Sequence, residues 1–201
     1  MEVGSIVHDW ASIGVALAAL GFTVRSFWWM NWRVGSLTVP GAPSSFAGTT
    51  QNGRLILLFP LVFYNSGPVP YVVRDLRLRF GDEPDGPPLS YHRVRSGISP
   101  SHSELEDLSA AFPVGGNEAV RMFCEFERTP IGREMSAGQH PLLLEALTDK
   151  RSDWQTLLSF NLHLTVNAEV AMPSSFISFR NREDNDPDVG PHPAPHGEPA
   201  V

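Results

Sequence analysis

The side chains able to do acid–base or nucleophilic chemistry are scattered through this sequence. Seven histidines stand at His8, His92, His102, His140, His163, His192 and His196, and the single cysteine is Cys124. None of the histidines falls in an H-E-x-x-H or H-x-x-E-H repeat or in a Cys/His cluster, the spacings that gather metal ligands. Ser99 to Glu104 (SPSHSE) sets hydroxyls beside an imidazole. Sequence neighbours rarely reach the geometry a general base needs, and no G-x-S-x-G turn surrounds them. The same residues read better as a helix start. Ser103 is the N-cap, Glu106 reaches back from the third position, and Leu105 and Leu108 open an apolar stripe. A short helix is expected near Glu104 to Ala111.

Cys124 sits in an alternating stretch from Ala119 to Arg128. Val120, Met122, Cys124 and Phe126 share one face, and Arg121, Glu125 and Glu127 share the other, with Phe123 the exception. The cysteine is expected to be a small buried hydrophobe, since no neighbouring His or Lys lowers its pKa. Glu125 and Glu127 are expected on a solvated face. His163 lies on a polar strand face beside Asn161 and Thr165. His192 and His196 flank Pro-Ala-Pro without further ligands, a poor metal site. No G-x-x-x-x-G-K-[ST] or G-x-G-x-x-G supports nucleotide binding. No catalytic, cofactor-binding or metal residue is assigned, and the expectation is a protein that is not an enzyme. The rival is a site assembled from distant residues such as His92, His102 and Glu125.

The element around which the chain is organised is Trp154 to Val166, WQTLLSFNLHLTV. Trp154, Thr156, Leu158, Phe160, Leu162, Leu164 and Val166 point one way in an extended chain, and the residues between them point the other. It is expected to pair with Leu142 to Leu147 across the charged loop Thr148 to Asp153. Arg54 to Tyr64 is almost continuously apolar, a strand buried on both faces or lying near a membrane. Pro60 lacks a ladder donor and predicts an edge or a bulge. Val69 to Phe80 follows a turn at Asn65-Ser66-Gly67-Pro68. Val72, Leu76, Leu78 and Phe80 share a face with Arg74, whose stem is expected along the core edge.

Leu37 to Val39, Leu89 to Val94 and Phe176 to Phe179 predict short strands. Pro40 to Gly53 is rich in turn residues and reads as a loop or linker. About seven strands separated by turn signals predict a mainly β fold, a small antiparallel sandwich. The stretch VFYNSGPVPYVVRDLRLRF resembles the strand–N-x-G–strand hairpin of bacterial immunoglobulin-like and fibronectin-like sandwiches. The resemblance covers about 20 of 201 residues, is set by turn chemistry, and implies a fold without an activity.

Before this domain, Ala11 to Val24 carries no charge, and Arg25, SFWWMNW and Arg33 follow. Residues 6–32 are long enough to cross a bilayer, with Arg25 snorkelling and Trp28, Trp29 and Trp32 at the interface. Two rivals are a helix lying in the interface or packed on another chain, and a signal peptide lacking its positive n-region. Acids precede the run and arginines follow it, which places the C-terminal side in the cytoplasm. One cysteine allows no intrachain disulfide, and no Asn-x-Ser/Thr sequon occurs. Both absences fit a reducing, cytosolic-facing domain.

The division is thus residues 1–35, an N-terminal hydrophobic helix; 36–179, a β-sandwich; and 180–201, an acidic Pro-rich tail expected to be disordered. The net charge of -7 argues against nucleic acid as a partner. It is spread as zero over 1–35, -4 over the middle and -3 over the tail. The expected function is a membrane-anchored, non-catalytic interaction module with an unknown protein partner and no cofactor. The alternative is a subunit of a larger assembly whose helix packs on partner helices, Arg25 being neutralised there.

Overall fold

The structure, a computed structural model, describes residues 3–51, 54–83, 85–97, 107–129, 137–164 and 177–181. Among the described residues one helix, α1 (Val3–Asn31), precedes eleven strands: β1 (Leu37–Thr38), β2 (Ser45–Gln51), β3 (Arg54–Asn65), β4 (Tyr71–Phe80), β5 (Leu89–Arg95), β6 (Asp107–Leu108), β7 (Phe112–Val114), β8 (Ala119–Arg128), β9 (Gly138–Thr148), β10 (Gln155–Leu164) and β11 (Ile177–Arg180). The expectation of a mainly β, antiparallel domain behind one apolar helix holds. The strands follow one hydrogen-bonded path, β10-β9-β4-β5-β8-β3-β2-β11, with β1, β6 and β7 attached to β3, β5 and β4. This single sheet bends round until it nearly closes on itself, and its walls face each other across one core.

The core sits where inward faces meet. Phe59 of β3 stacks on Phe46 of β2 at 5.9 Å between centroids and meets Phe160 of β10 edge-on at 5.6 Å. Leu57, Leu78, Leu89, Phe126, Leu142, Leu144 and Leu162 are fully buried around them. Apolar area removed from water is the main term holding such a fold together. The continuous apolar run of β3 has its physical reason here. Leu55 to Phe63 turn alternate side chains into this core, while Leu58 is buried on the opposite face as well.

Several expectations are corrected. Residues 45–51 are not a loop but β2, paired antiparallel with β3 from Ala47↔Leu58 to Gln51↔Arg54. SFAGTTQ is short and polar, and pairing with β3 on one side and β11 on the other makes it extended. Its Phe46 and Ala47 are completely buried. The stretch VFYNSGPVPYVVRDLRLRF is not a hairpin. β3 pairs with β8, β2 and β1, and β4 pairs with β9, β5 and β7, so residues 65–70 arch from one wall to another. The expected helix at 104–111 is replaced, over its described part, by β6 against β5 and an extended approach to β7. Its start, Ser103 to Glu106, lies outside the described residues.

Two bulges reset the alternation that the sequence suggests. In β4 the register shifts between Val73 and Asp75. Tyr71 and Val73 therefore face in before the shift, and Leu76, Leu78 and Phe80 after it. Val72 and Arg74 are exposed, and the Arg74 guanidinium reaches the Arg151 carbonyl at 3.4 Å instead of lining the core. In β10 the shift between Thr156 and Leu158 leaves Thr156 exposed, while Phe160, Leu162 and Leu164 are buried. A bulge opposes two residues to one, and side-chain direction flips across it.

Pro60 is neither at the edge of the path nor at a bulge. β3 is paired to β8 throughout Leu55–Tyr64 without a shift. Asn65 donates its N–H to Glu118, the residue before β8, and Ser66 donates to Ser36 on the other side, so odd residues of β3 aim at β8 and even ones away. Pro60 thus directs its missing donor into the gap between the β2 pairs, which begin at Leu58, and the β1 pairs, which begin at Tyr64. The domain also runs past Phe179, since Arg180 belongs to β11 and Asn181 donates to Ser44. Residues 182–201 lie outside the described residues.

Candidate functional site

The part of the fold most specifically built is the collar where α1 meets the barrel. Within α1, Ile13–Asn31 is long and apolar enough to cross a membrane, and none of that stretch is buried against the protein. Phe22, Phe27, Trp28, Trp29 and Trp32 are all exposed. Asn31 ends the helix, its Nδ2 returning to the Phe27 carbonyl at 2.9 Å. Only residues 32–36 separate it from β1.

Those linker residues are fastened to the arch between β3 and β4. Arg33 lays its guanidinium over the Trp29 ring at 4.5 Å and donates from Nη2 to the Ser66 carbonyl at 2.9 Å. Ser36 and Ser66 are bonded through backbone and side chain: Ser66 N–H to Ser36 O at 3.1 Å, Ser36 N–H to Ser66 Oγ at 3.0 Å, and the two hydroxyls 3.0 Å apart. The Tyr71 hydroxyl donates to the Gly35 carbonyl at 2.6 Å. Gly35 and Gly67 meet backbone to backbone, and a Cβ on either would overlap the other's N and Cα. Glycine is required at such a close approach.

A second turn completes the collar. Asn65 is fully buried. Its Nδ2 donates to the carbonyls of Val69 at 2.9 Å and Gly115 at 3.0 Å, and its Oδ1 accepts the Gly67 N–H at 2.9 Å. One side chain thereby satisfies three backbone groups of two turns, as buried polar groups must be. Asn117 adopts φ 54° and donates its N–H to Gly67 at 2.8 Å. Asparagine is among the residues that tolerate this left-handed conformation. A third turn, 149–153, belongs to the same end. The Asp149 N–H bonds the Val72 carbonyl and the Val72 N–H bonds Asp149 Oδ1, both at 2.9 Å. Desolvation opposes ionisation of Asp149, but the Val72 N–H and the Lys150 ammonium outweigh it and hold the carboxyl below its usual value.

The residues weighed from the sequence are dispersed. Cys124 is buried in the core, as expected, and burial pushes its thiol up to about 12. Glu125 is not solvated. It is 2 % exposed and takes the Arg95 Nε–H at 2.6 Å. Glu127 lies 3.2 Å from Arg54 and 3.6 Å from His92. His92 is thus brought to Glu127, on the strand neighbouring its own, and not to Glu125. His102 lies outside the described residues, with His192 and His196. His140 is buried on β9, which is separated from His92 on β5 by β4 in the sheet order. Phe123, the exception to alternation, has the Arg121 guanidinium over its ring at 4.8 Å. His163 lines a polar hollow of about 330 Å³ with Ala42, Ser159, Phe160, Asn161 and Asn181, at the seam between β10 and the chain after β11. Among the described residues no group of three His, Cys, Asp or Glu is placed to hold a metal ion.

Sequence reasoning missed the collar because its partners are far apart in the chain. Arg33 and Ser66, or Asn65 and Gly115, have no common spacing pattern. The signal that was legible is the Asn65-Ser66-Gly67 turn itself. No protein family and no curated protein matches this sequence.

Proposed function

We propose that this protein is a membrane-anchored, non-catalytic interaction module, in which α1 is a single-pass anchor and the barrel is a cytoplasmic domain that offers its outer sheet faces and loops to a protein partner. The observation that carries this reading is the collar. An apolar helix with no buried residue from Ile13 to Asn31 needs lipid or another protein around it, and here its exit is hydrogen-bonded to the domain instead of trailing as a loose tether. Such fastening sets the orientation of the domain on its anchor, which suits presentation of a surface. The arginines Arg25 and Arg33 at the C-terminal side of the span support the cytoplasmic orientation.

The test is fractionation of the full chain with a carbonate wash, followed by protease access from each side of the membrane. Retention in the pellet with the domain shielded from outside supports the anchor and its orientation. Release by the wash rejects the anchor. A second reading has its own support in Arg25, a charge within the apolar stretch: α1 packs on the helices of a larger assembly. Purification as a water-soluble oligomer without detergent would favour it.

A further inference from the structure

Arg25 is the only charge in Ile13–Asn31, the stretch of α1 able to cross a membrane. As a helix those 19 residues are about 28 Å long, close to the ~30 Å of a bilayer's hydrocarbon core. With Asn31 at the edge of that core, Arg25 lies about 9 Å inside it. Raising Arg25 to the headgroups would leave Ala11 to Val24, about 21 Å of uncharged helix, to cross the rest. A charge at that depth is costly and is met by a partner group. The other polar groups Thr23 and Asn31 are satisfied within the helix, on the carbonyls of Ala19 at 2.8 Å and Phe27 at 2.9 Å. Among the described residues no acid pairs with Arg25. Asp9 lies about 24 Å back along the helix axis, and the next acid in the chain is Asp75, on β4.

The face that carries Arg25 is also shaped. Leu17, Gly21, Val24 and Trp28 recur at helical spacing, and Arg25 and Trp32 stand beside them, all exposed. They border a hollow of about 840 Å³ along the helix. A Cβ on Gly21 would meet nothing, so another helix can approach closely there. We propose that this face packs, inside the bilayer, against a helix of a different membrane protein that carries an Asp or Glu at the level of Arg25. This rests on the reading of α1 as a membrane span, and it names the partner such a span takes in an assembly. The carboxylate answers the one unpaired charge, and Leu17, Val24 and Trp28 supply apolar contact on the same face. A second copy of this chain does not fit. Parallel copies set Arg25 against Arg25, and the acid each brings, Asp9, lies at the far end of the helix.

The full chain is reconstituted in phosphatidylcholine vesicles with a synthetic Leu/Ala helix that carries one Glu at the depth of Arg25 and a dansyl group at its near end. Energy transfer from the chain's tryptophans, of which Trp28 and Trp32 border the hollow, reads association. The expected result is transfer with the Glu helix. Its affinity should fall about three- to thirtyfold when that Glu is Gln, or when the chain carries Arg25→Gln. Arg25→Glu should recover association with a helix that bears Arg in place of Glu. Gly21→Leu fills the hollow while keeping Arg25, and should weaken association as well. Equal transfer with the Glu and Gln helices, or no recovery by the exchanged pair, overturns the proposal while the anchor stands, and leaves Arg25 to the lipid headgroups. Unchanged transfer in Gly21→Leu overturns the assignment of this face. Transfer between labelled copies of the chain that the Glu helix does not displace puts a second copy in the hollow and overturns it also. Release of the chain from the vesicles by a carbonate wash sinks both the proposal and the anchor.

Discussion

The side-chain amide of Asn181 closes the seam of the barrel against His163. Asn181 Oδ1 accepts the His163 N–H at 3.0 Å, and Nδ2 donates to the carbonyls of Asn161 and Pro43, both at 3.1 Å. The edge of β10 and the chain entering β2 are thus joined through one residue, where a ladder would otherwise be needed. An exposed strand edge is a template for unwanted pairing, and covering it is a common protection.

Asn181→Ala should therefore loosen the seam. The loss is about 1–3 kcal/mol for the bonds removed, and the His163 amide should exchange with solvent faster than amides of the β3–β8 ladder. Unchanged protection at His163, measured by hydrogen exchange, would show that the seam is held by other contacts.

The collar should be sensitive to single atoms. Gly67→Ala puts a methyl group into the Gly35 backbone, and overpacking of this kind costs about 1–3 kcal/mol. Asn65→Asp should be worse than its isosteric shape suggests, because a carboxylate would face the Val69 and Gly115 carbonyls that now receive N–H donors. Thermal unfolding of both variants tests this, and a native-like midpoint for Asn65→Asp would argue against the assigned amide orientation.

Arg95 and Glu125 should behave as a buried pair. Their side chains are 10 % and 2 % exposed at 2.6 Å. Arg95→Met leaves Glu125 buried without that partner, and breaking such a pair costs about 3–5 kcal/mol. Replacing both, with Glu125→Leu added, should recover much of that loss. A double variant no more stable than Arg95→Met would contradict the pair.

Asp149 should give the fold an acid-sensitive term. Its folded pKa lies below the ordinary 3.8, so its contribution is present above that value and fades as pH falls through the folded pKa. Asp149→Ala is expected to lower stability by about 1 kcal/mol at neutral pH, with the gap to the native protein narrowing in acid. A gap that is constant with pH would mean that the carboxylate's charge is not what holds the turn.

Tyr91 offers a change of the opposite sign. Its hydroxyl is buried with no hydrogen-bond partner among the described residues, and burial raises the phenol above its usual pKa. Tyr91→Phe removes an unpaired polar atom while keeping the ring that packs 6.0 Å from Phe126. Stability should be unchanged or rise by up to about 1–2 kcal/mol. A clear loss on denaturant unfolding would reveal a partner for the hydroxyl.

What the sequence determined by itself was local. The apolar run at 11–32 has the length of a span, and composition alone sets that. The strands at 54–64, 119–128 and 154–164 were legible because each carries enough apolar residues to need a buried face. The fate of Cys124 followed from its place in such an alternation. Tertiary structure decided the rest. Ser45–Gln51 is a strand because β3 and β11 lie on either side of it. Leu108 opens no helix because β6 pairs with β5. The faces of Val72, Arg74 and Thr156 depend on bulges, which are set by neighbouring strands and leave little trace in residue type. Glu125 is buried because Arg95 arrives from another strand. The collar required Gly35, Asn65, Gly67 and Gly115 to meet, and no spacing along the chain encodes a meeting between turns. Pairing between distant strands is a property of the nearly closed sheet, and the energy that selects it appears only when the whole core is enclosed.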